Sequence, residues 1–223
     1  MGHNRLILLL LAVVVLTAMP AAAMAGGSTA LPGAEPPDGT HQAVVVRARG
    51  DIGAVLSCWE RADGRWVLRI ADVDAVLGRS GLVAPERKSE GDGATPGGVY
   101  ALRRVFGYAP RYDTQMPYIP LTERHYWIDD PSHEGYNQLV EGRPSASSYE
   151  VMRREDHLYQ LGVIIEYNTE PVVAGKGSAI FLHTWRGPGV PTAGCVALSA
   201  ENLARVVAWL DPQQQPVMIL QRS

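Results

Sequence analysis

The segment from Ser178 to Ser199 carries the residues best suited to chemistry, because it holds one histidine and one cysteine close together. A hydrophobic stretch ends at His183, a loop rich in glycine and proline follows, and the chain then reaches Cys195. The thiolate is the reactive form of cysteine, so a nucleophilic cysteine needs a base or a positive field beside it. An imidazole brought back by the loop would supply the base. The pattern favours Cys195 as a nucleophile activated by His183, although the spacing alone also fits a structural cysteine and a core histidine.

The backbone around Cys195 suits an acyl-transfer reaction. Gly194 leaves space beside the nucleophile, and we expect the backbone N–H groups around Gly194 and Cys195 to face a developing oxyanion. Ser199 is a good N-cap for a helix over 200–210. The start of that helix would add a favourable dipole of a few tenths to about 1 kcal/mol at the nucleophile.

A sheet must hold these residues in place. Apolar and β-branched runs predict strands over 43–47, 53–59, 66–70, 98–105, 161–167, 179–184 and 217–221. Residues 107–160 mix aromatics, prolines and charges with weak periodicity, so we expect long loops with short elements over the sheet; a stretch of this kind is often functional. The predicted fold is mainly β: a single β-sandwich-like domain with long loops and a short C-terminal helix after Cys195.

Two separated motifs resemble the L,D-transpeptidase catalytic domain (YkuD-type). In that family a histidine at a strand end is followed by a glycine-rich loop and a Ser/Thr-His-Gly-Cys signature, usually ending in Arg or Asn. Thr192, Gly194 and Cys195 match the signature, and the upstream segment 90–100 (EGDGATPGGVY) resembles the family's Gly-x-x-x-Thr-Pro-x-Gly segment. The resemblance spans 42–221. Ala193 and Ala197 depart from it, because they replace the histidine before Gly-Cys and the arginine that usually follows the cysteine.

The resemblance implies a cysteine acyltransferase that acts on peptidoglycan stem peptides and needs no metal or organic cofactor. Cys195 would attack the carbonyl that joins an L-centre to the D-Ala at position four of the stem. His183 would act as general base and then as general acid, and the Thr184 carbonyl would orient its ring. An amine from a second stem would resolve the acyl-enzyme into a cross-link, whereas water would hydrolyse it.

The missing motif arginine leaves the substrate-binding residues open. A cation near the site would orient a substrate carboxylate or carbonyl. Arg186, in the same loop as the nucleophile, and Lys88 are the candidate replacements. Thr192 and Asp92 complete the predicted substrate-binding set.

The N-terminus predicts export. Arg5, an apolar run over 6–19 that ends at Pro20, and the small residues Ala23 and Ala25 form the layout of a secretory signal peptide. The run is shorter than the ~20 residues that span a bilayer, which favours cleavage over an uncleaved anchor. We therefore expect a signal peptide over 1–25, a flexible leader over 26–41 and a catalytic domain over 42–223. The mature protein would be a monomer in the periplasm or cell-wall space, with no membrane span.

Composition excludes one class of partner and leaves the state of the two cysteines open. A net charge of −3 lacks the basic footprint of a nucleic-acid binder. Two cysteines in an exported protein allow a disulfide between Cys58 and Cys195. Cys58, however, lies in a strand-like run, where a thiol is commonly a small apolar filler.

Two other classes of function remain open at this stage. His125, Asp129, Asp130 and His133 fall within a short stretch and allow a zinc peptidase, although a turn is the simpler reading. Ala193 and Ala197 motivate the second alternative, a wall-binding domain without catalysis. The presence of both a cysteine and a histidine in the motif argues against it.

Overall fold

The computed structural model describes residues 31–222 of the 223-residue chain. The predicted signal peptide, 1–25, lies outside the described residues, as does the first part of the predicted leader. Within the described range, no helix is both long enough and apolar enough to cross a membrane.

Strands dominate the described chain, and they include every strand that the sequence predicts. The first seven are β1 (Gln42–Arg49), β2 (Gly53–Ala62), β3 (Arg65–Val76), β4 (Leu82–Val83), β5 (Thr95–Pro96), β6 (Gly98–Gly107) and β7 (Tyr118–Pro120). The others are β8 (His125–Ile128), β9 (Leu139–Glu141), β10 (Tyr149–Val151), β11 (Leu161–Ile165), β12 (Phe181–Thr184), β13 (Val196–Leu198) and β14 (Val217–Arg222). Helix α1 (Ala200–Trp209) follows β13. The prediction of a mainly-β fold with a short helix after Cys195 is confirmed.

The largest sheet closes on itself. Its nine strands follow the order β11-β12-β13-β3-β2-β1-β14-β6-β7, and β11 also pairs with β6. The first half of β6 pairs with β14 and the second half with β11, so the ladder returns to the strand at which it began. This closure leaves β12 and β13 as central strands with a partner on each side. Such strands hold their side chains more rigidly than an edge strand or a loop would.

The inner face of this sheet and helix α1 share one apolar core. Alternate residues of the strands point into it, among them Val44 and Val46 of β1 and Leu182 of β12. Leu203, Val206 and Val207 of α1 lie in the same core and are fully buried. Ser199 begins the helix as the sequence predicts, because its side chain accepts a hydrogen bond from the Asn202 N–H at 3.3 Å.

The segment 107–160 covers the outer face of the sheet beside β12. It contains β7, which extends the large sheet, and a separate three-stranded sheet in the order β10-β8-β9. Its buried side chains pack against β6, β11 and β12, which bury Phe106, Ile164 and Phe181 in the same cluster. The covering residues are Leu121, Trp127, Met152 and Tyr159. The expected loops with short elements therefore include a second small layer, and Cys195 is buried beneath it.

A close backbone contact joins the end of β3 to the loop that carries Cys195. Gly78, two residues beyond β3, forms an isolated parallel bridge with Thr192. A Cβ at Gly78 would lie 2.3 Å from the Gly93 carbonyl oxygen and 3.0 Å from Cα of Gly194. Both of these neighbours are backbone atoms, so neither can turn aside as a flexible side chain would.

We predict that Gly78→Ala lowers the free energy of unfolding by about 1–3 kcal/mol, the usual cost of overpacking a dense site. Urea unfolding of the variant measures it. Gly187→Ala is the matched control, because a Cβ there meets nothing nearer than Val190 Cγ2 at 4.0 Å. Equal unfolding midpoints for the two variants would show that the close contact carries no cost.

Candidate active site

The register of two strands brings His183 and Cys195 to the same face of the sheet. Strands β12 and β13 are parallel, with Leu182 opposite Val196 and His183 opposite Ala197. Cys195 precedes β13 and lies beside Phe181, whose N–H donates to Cys195 Sγ at 3.4 Å. Because side chains alternate along a strand, His183 and Cys195 both project away from the inner core that holds Leu182 and Val196.

The imidazole of His183 is held in one orientation. Its Nδ1 lies 2.8 Å from the Thr184 carbonyl oxygen. A carbonyl oxygen only accepts hydrogen bonds, so this contact assigns the proton to Nδ1 and leaves the lone pair on Nε2. The Tyr159 ring contacts the imidazole edge-on, with 5.2 Å between ring centroids. The structure therefore places the Thr184 carbonyl where the family resemblance implied it.

The thiol and the imidazole are both uncharged in the resting protein. Burial raises the pKa of Cys195 to about 12, and the nearby Glu150 carboxylate adds to this shift. Burial lowers the pKa of His183 to about 4. The thiol donates to the Ala179 carbonyl oxygen at 3.2 Å. At neutral pH the site thus holds an S–H group and a neutral imidazole that can accept its proton.

Thr192 closes the turn around the cysteine. Its hydroxyl donates to the Cys195 carbonyl oxygen at 2.7 Å and accepts the Gly194 N–H at 3.0 Å. The Thr95 hydroxyl approaches the same carbonyl at 3.4 Å and accepts the Gly78 N–H at 2.8 Å. The two motifs recognised in the sequence therefore meet at the backbone of Cys195.

His183 and Cys195 line one cavity of about 460 Å³. The loop after β12 forms part of its wall with Trp185, and the segment 107–160 forms another part with Leu158 and Tyr159. Both signs of charge are present. The charged side chains that line the cavity are Arg79, Lys88, Glu90, Asp129, Glu150, Arg154 and Arg186.

Three of the four predicted substrate-binding residues reach this cavity, namely Arg186, Lys88 and Thr192. The Arg186 side chain is 59% exposed and approaches Asp156 at 3.4 Å. Lys88 is buried, and its ammonium group donates to Asp92 at 2.8 Å. Asp92 is not among the residues that line the cavity.

The Asp92 carboxylate shapes a turn. It accepts hydrogen bonds from the backbone N–H groups of Ser89 and Ala94, at 2.9 and 2.8 Å. Together with the Lys88 ammonium, these donors hold the pKa of Asp92 below its usual value, although burial opposes the shift. Asp92 thus fixes Lys88, which itself reaches the cavity.

Within the segment 107–160, the sequence did not predict that Glu150, Arg154 and Tyr159 line the cavity, and it offered Asp129 only as a possible zinc ligand. The Tyr159 hydroxyl donates to the Glu150 carboxylate at 2.5 Å, and the Arg154 guanidinium lies 5.2 Å above the Tyr159 ring centroid. Burial raises the pKa of Glu150. The length of the segment was the available signal, and it points to a region and not to particular residues.

The residues behind the zinc alternative have local partners. His125 Nδ1 accepts the Thr122 N–H at 3.0 Å, and His133 Nδ1 accepts the Gly135 N–H at 3.0 Å. Asp130 accepts hydrogen bonds from Ser132 and Ser147, as a turn-capping carboxylate does. Among residues 31–222, no group of three or more His, Cys, Asp or Glu side chains is arranged to hold a metal ion.

The two cysteines are free and lie in different clusters. Cys58 belongs to the apolar inner core, whereas Cys195 lies in the outer cluster beneath the segment 107–160. The disulfide that the sequence left open is therefore absent, and the thiol of Cys195 is available for chemistry.

Comparison with known proteins gives one family and one solved structure. The family profile described as the L,D-transpeptidase catalytic domain (YkuD) matches residues 53–219. No curated protein matches the chain. The crystal structure of the helical cell shape determining protein Pgp2 from Campylobacter jejuni is 18% identical, with a TM-score of 0.41; the match covers 82% of this chain and 48% of that one. The chain thus spans about half the length of that protein.

We predict that Thr192→Val slows acylation of Cys195 by roughly 10- to 100-fold, because valine keeps the shape of threonine but loses both hydroxyl bonds to the turn. Thr192→Ser, which retains the hydroxyl, should stay close to wild type. Intact-protein mass spectrometry with an acylating probe gives both rates. Equal slowing of the two variants would point to packing of the methyl group instead.

We predict that the alkylation rate of Cys195 by iodoacetamide is nearly constant between about pH 5.5 and 8. His183 is neutral above its pKa of about 4 and can take the thiol proton throughout this range. The rate should fall as His183 becomes protonated below that pKa. In His183→Ala the rate should rise about tenfold per pH unit, because only free thiolate from a group with a pKa of about 12 reacts.

Peptide mass spectrometry separates the Cys195 signal from that of Cys58. A wild-type rate that itself rises tenfold per pH unit over this range would mean that His183 does not assist the thiol.

Proposed function

Because this chain belongs to the L,D-transpeptidase catalytic-domain family of cell-wall enzymes, we propose that Cys195 forms an acyl-enzyme with a peptidoglycan stem tetrapeptide. The terminal D-Ala is released, and the acyl group passes to an amine acceptor. The observation that carries the proposal is the common face and common cavity of Cys195 and His183, with the imidazole oriented by the Thr184 carbonyl.

Acylation begins from the neutral pair. The thiol turns from the Ala179 carbonyl toward Nε2 of His183, which takes its proton as Sγ attacks the carbonyl carbon of the L-centre. The C–N bond to D-Ala then breaks, and His183 returns the proton to the departing nitrogen. Proton transfer at the moment of attack suits this site, since burial disfavours a standing thiolate.

The oxyanion of the tetrahedral intermediate needs donors close to the nucleophile. Gly194 was one predicted donor, but its N–H already bonds the Thr192 hydroxyl. We assign the role to the backbone N–H groups of Cys195 and Ala193. Gly194 then contributes by letting the turn pass close to the Ala94 carbonyl, where a Cβ would lie 3.1 Å from the oxygen.

The thioester is resolved by an acceptor that enters the same cavity. An amine attacks the carbonyl carbon, loses a proton to His183 and leaves as the amide, while the cysteine sulfur recovers a proton. The carboxylates of Glu90 and Asp129 give part of the wall a negative charge, which favours an ammonium-bearing acceptor. Arg186 and Lys88 give it positive charge, which suits the carboxylates of a stem peptide.

The site of action follows from the substrate. Peptidoglycan lies outside the cytoplasmic membrane, so we propose that residues 1–25 direct export and that the mature chain works as a monomer in the periplasm or cell-wall space.

We predict that the mature chain, 26–223, incubated with a stem tetrapeptide gains the mass of an acyl-tripeptide at Cys195 and releases one D-Ala per site. Cys195→Ser should form no adduct. His183→Ala should acylate roughly 10²- to 10⁴-fold more slowly, the usual contribution of general base catalysis. A carbapenem in place of the tetrapeptide traps the same thiol. If the wild-type protein gains no mass from either compound, the proposed acyl-enzyme is contradicted and a wall-binding role is favoured.

A second measurement separates transfer from hydrolysis. With a second stem peptide as acceptor, a transpeptidase yields a cross-linked dimer, whereas a carboxypeptidase of the same family yields only the tripeptide. We expect the dimer. Tripeptide alone, even at high acceptor concentration, would assign the chain to the hydrolytic branch.

A further inference from the structure

The position that usually carries the motif arginine carries an uncharged alanine in this chain. Ala197 is fully buried and lies directly opposite His183 in the β12–β13 ladder. A cation that serves the cavity must therefore come from another part of the chain.

Arg154 is a cation of the cavity wall that is held in place by two neighbours. Its Nε and one terminal nitrogen donate to the two carboxylate oxygens of Asp156, at 2.8 and 2.7 Å. Its guanidinium lies 5.2 Å above the centroid of the Tyr159 ring, which in turn contacts the His183 ring at 5.2 Å. A chain of direct contacts thus runs from Arg154 to the proposed base.

The guanidinium of Arg154 retains unused donors. Its other terminal nitrogen, Nη1, makes no hydrogen bond to any residue in the described part of the chain. Two carboxylates lie nearby, those of Asp156 and Glu150. Asp156 is shared with Arg186, and burial raises the pKa of Glu150, which favours its neutral form. The group of Arg154, Asp156 and Arg186 therefore carries one net positive charge at the cavity.

The other cations of the cavity are less suited to bind a carboxylate. The Lys88 ammonium is committed to Asp92 and to the Ser89 carbonyl, both at 2.8 Å. Arg79 donates to the Gly91 carbonyl and belongs to an exposed turn. Arg186 is 59% exposed and is held by a single contact of 3.4 Å.

We propose that Arg154 is the specificity-determining cation of this site and binds the terminal carboxylate of the substrate's D-Ala through Nη1. The proposal rests on the proposed function for the identity of the substrate. A planar fork held on an aromatic face and a carboxylate is pre-organised, so little entropy is lost when it binds a second carboxylate. Burial raises the pKa of Cys195 and lowers the pKa of His183; the positive charge of Arg154 opposes the first shift and adds to the second.

Equilibrium binding in a Cys195→Ser background tests the proposal without turnover. The two ligands are a stem tetrapeptide that ends in D-alanine and the same peptide that ends in D-alaninamide. With Arg154 present, the free acid should bind roughly 10- to 100-fold more tightly than the amide. Arg154→Gln should weaken binding of the free acid by that factor and leave the affinity for the amide unchanged. Arg154→Lys, which keeps the charge but not the fork, should retain part of the preference.

Arg124→Gln is the matched control, because this arginine is 72% exposed, pairs only with Glu141 and does not line the cavity. A preference for the acid that persists in Arg154→Gln would overturn the proposal. Equal weakening of the binding of both ligands by Arg154→Gln would also overturn it, because it would show that Arg154 acts structurally, through Tyr159. Loss of the preference in Arg186→Gln alone would move the carboxylate site to that residue and overturn the proposal as well.

The same tetrapeptide separates this inference from the proposed function. Failure of the wild-type protein to acylate Cys195 with it would contradict the function, whereas the affinity ratio reports on the carboxylate site alone. A tetrapeptide amidated only on its diamino acid side chain checks which carboxylate is bound. It should bind as tightly as the unmodified peptide, and a loss of affinity there would overturn the assignment to D-Ala.

Discussion

The site depends on the parallel pairing of β12 with β13. Parallel register sets Leu182 opposite Val196, so His183 and Cys195 fall on one face although the chain between them leaves the sheet and returns. A shift of one residue in either strand would turn one of the two side chains into the apolar core. The register is protected from both sides, because β12 also pairs with β11 and β13 with β3. The loop after β12 is further held where Thr192 meets Gly78.

Burial gives the site its chemical character. The same layer that covers the outer face of the sheet removes water from Cys195 and His183, and this favours the neutral form of each group. Cys195 and His183 are therefore both uncharged at rest, and in the proposed mechanism the ion pair forms only when a substrate is attacked. Cys58 shows that burial alone does not produce such a site. It is equally buried, but it lies in the apolar inner core and does not line the cavity that holds Cys195 and His183.

Sequence reasoning recovered the parts of the fold and site that are local in the chain. The strand that ends at His183, the turn before Cys195 and the cap at Ser199 each depend on neighbours within a few residues, so their patterns could be read directly. The cavity wall from 107–160 could not be read in this way. Strands β8, β9 and β10 are three or four residues long, too short to show a period. Arg154 and Tyr159 reach the site only through the tertiary packing of that layer.

The alanine at position 197, where the family usually has arginine, is best understood together with Arg154. Alanine at 197 leaves the buried position opposite His183 without a charged side chain. Arg154 lies in the segment that covers the sheet, and its guanidinium reaches the cavity. The Asp156 carboxylate pairs with its charge, and the Tyr159 ring packs against the guanidinium. In this chain the covering layer, and not β13, therefore brings a positive charge to the cavity. Variation in such a layer can change which substrate groups are recognised, while the register of β12 and β13 keeps Cys195 and His183, the proposed nucleophile and base, in place.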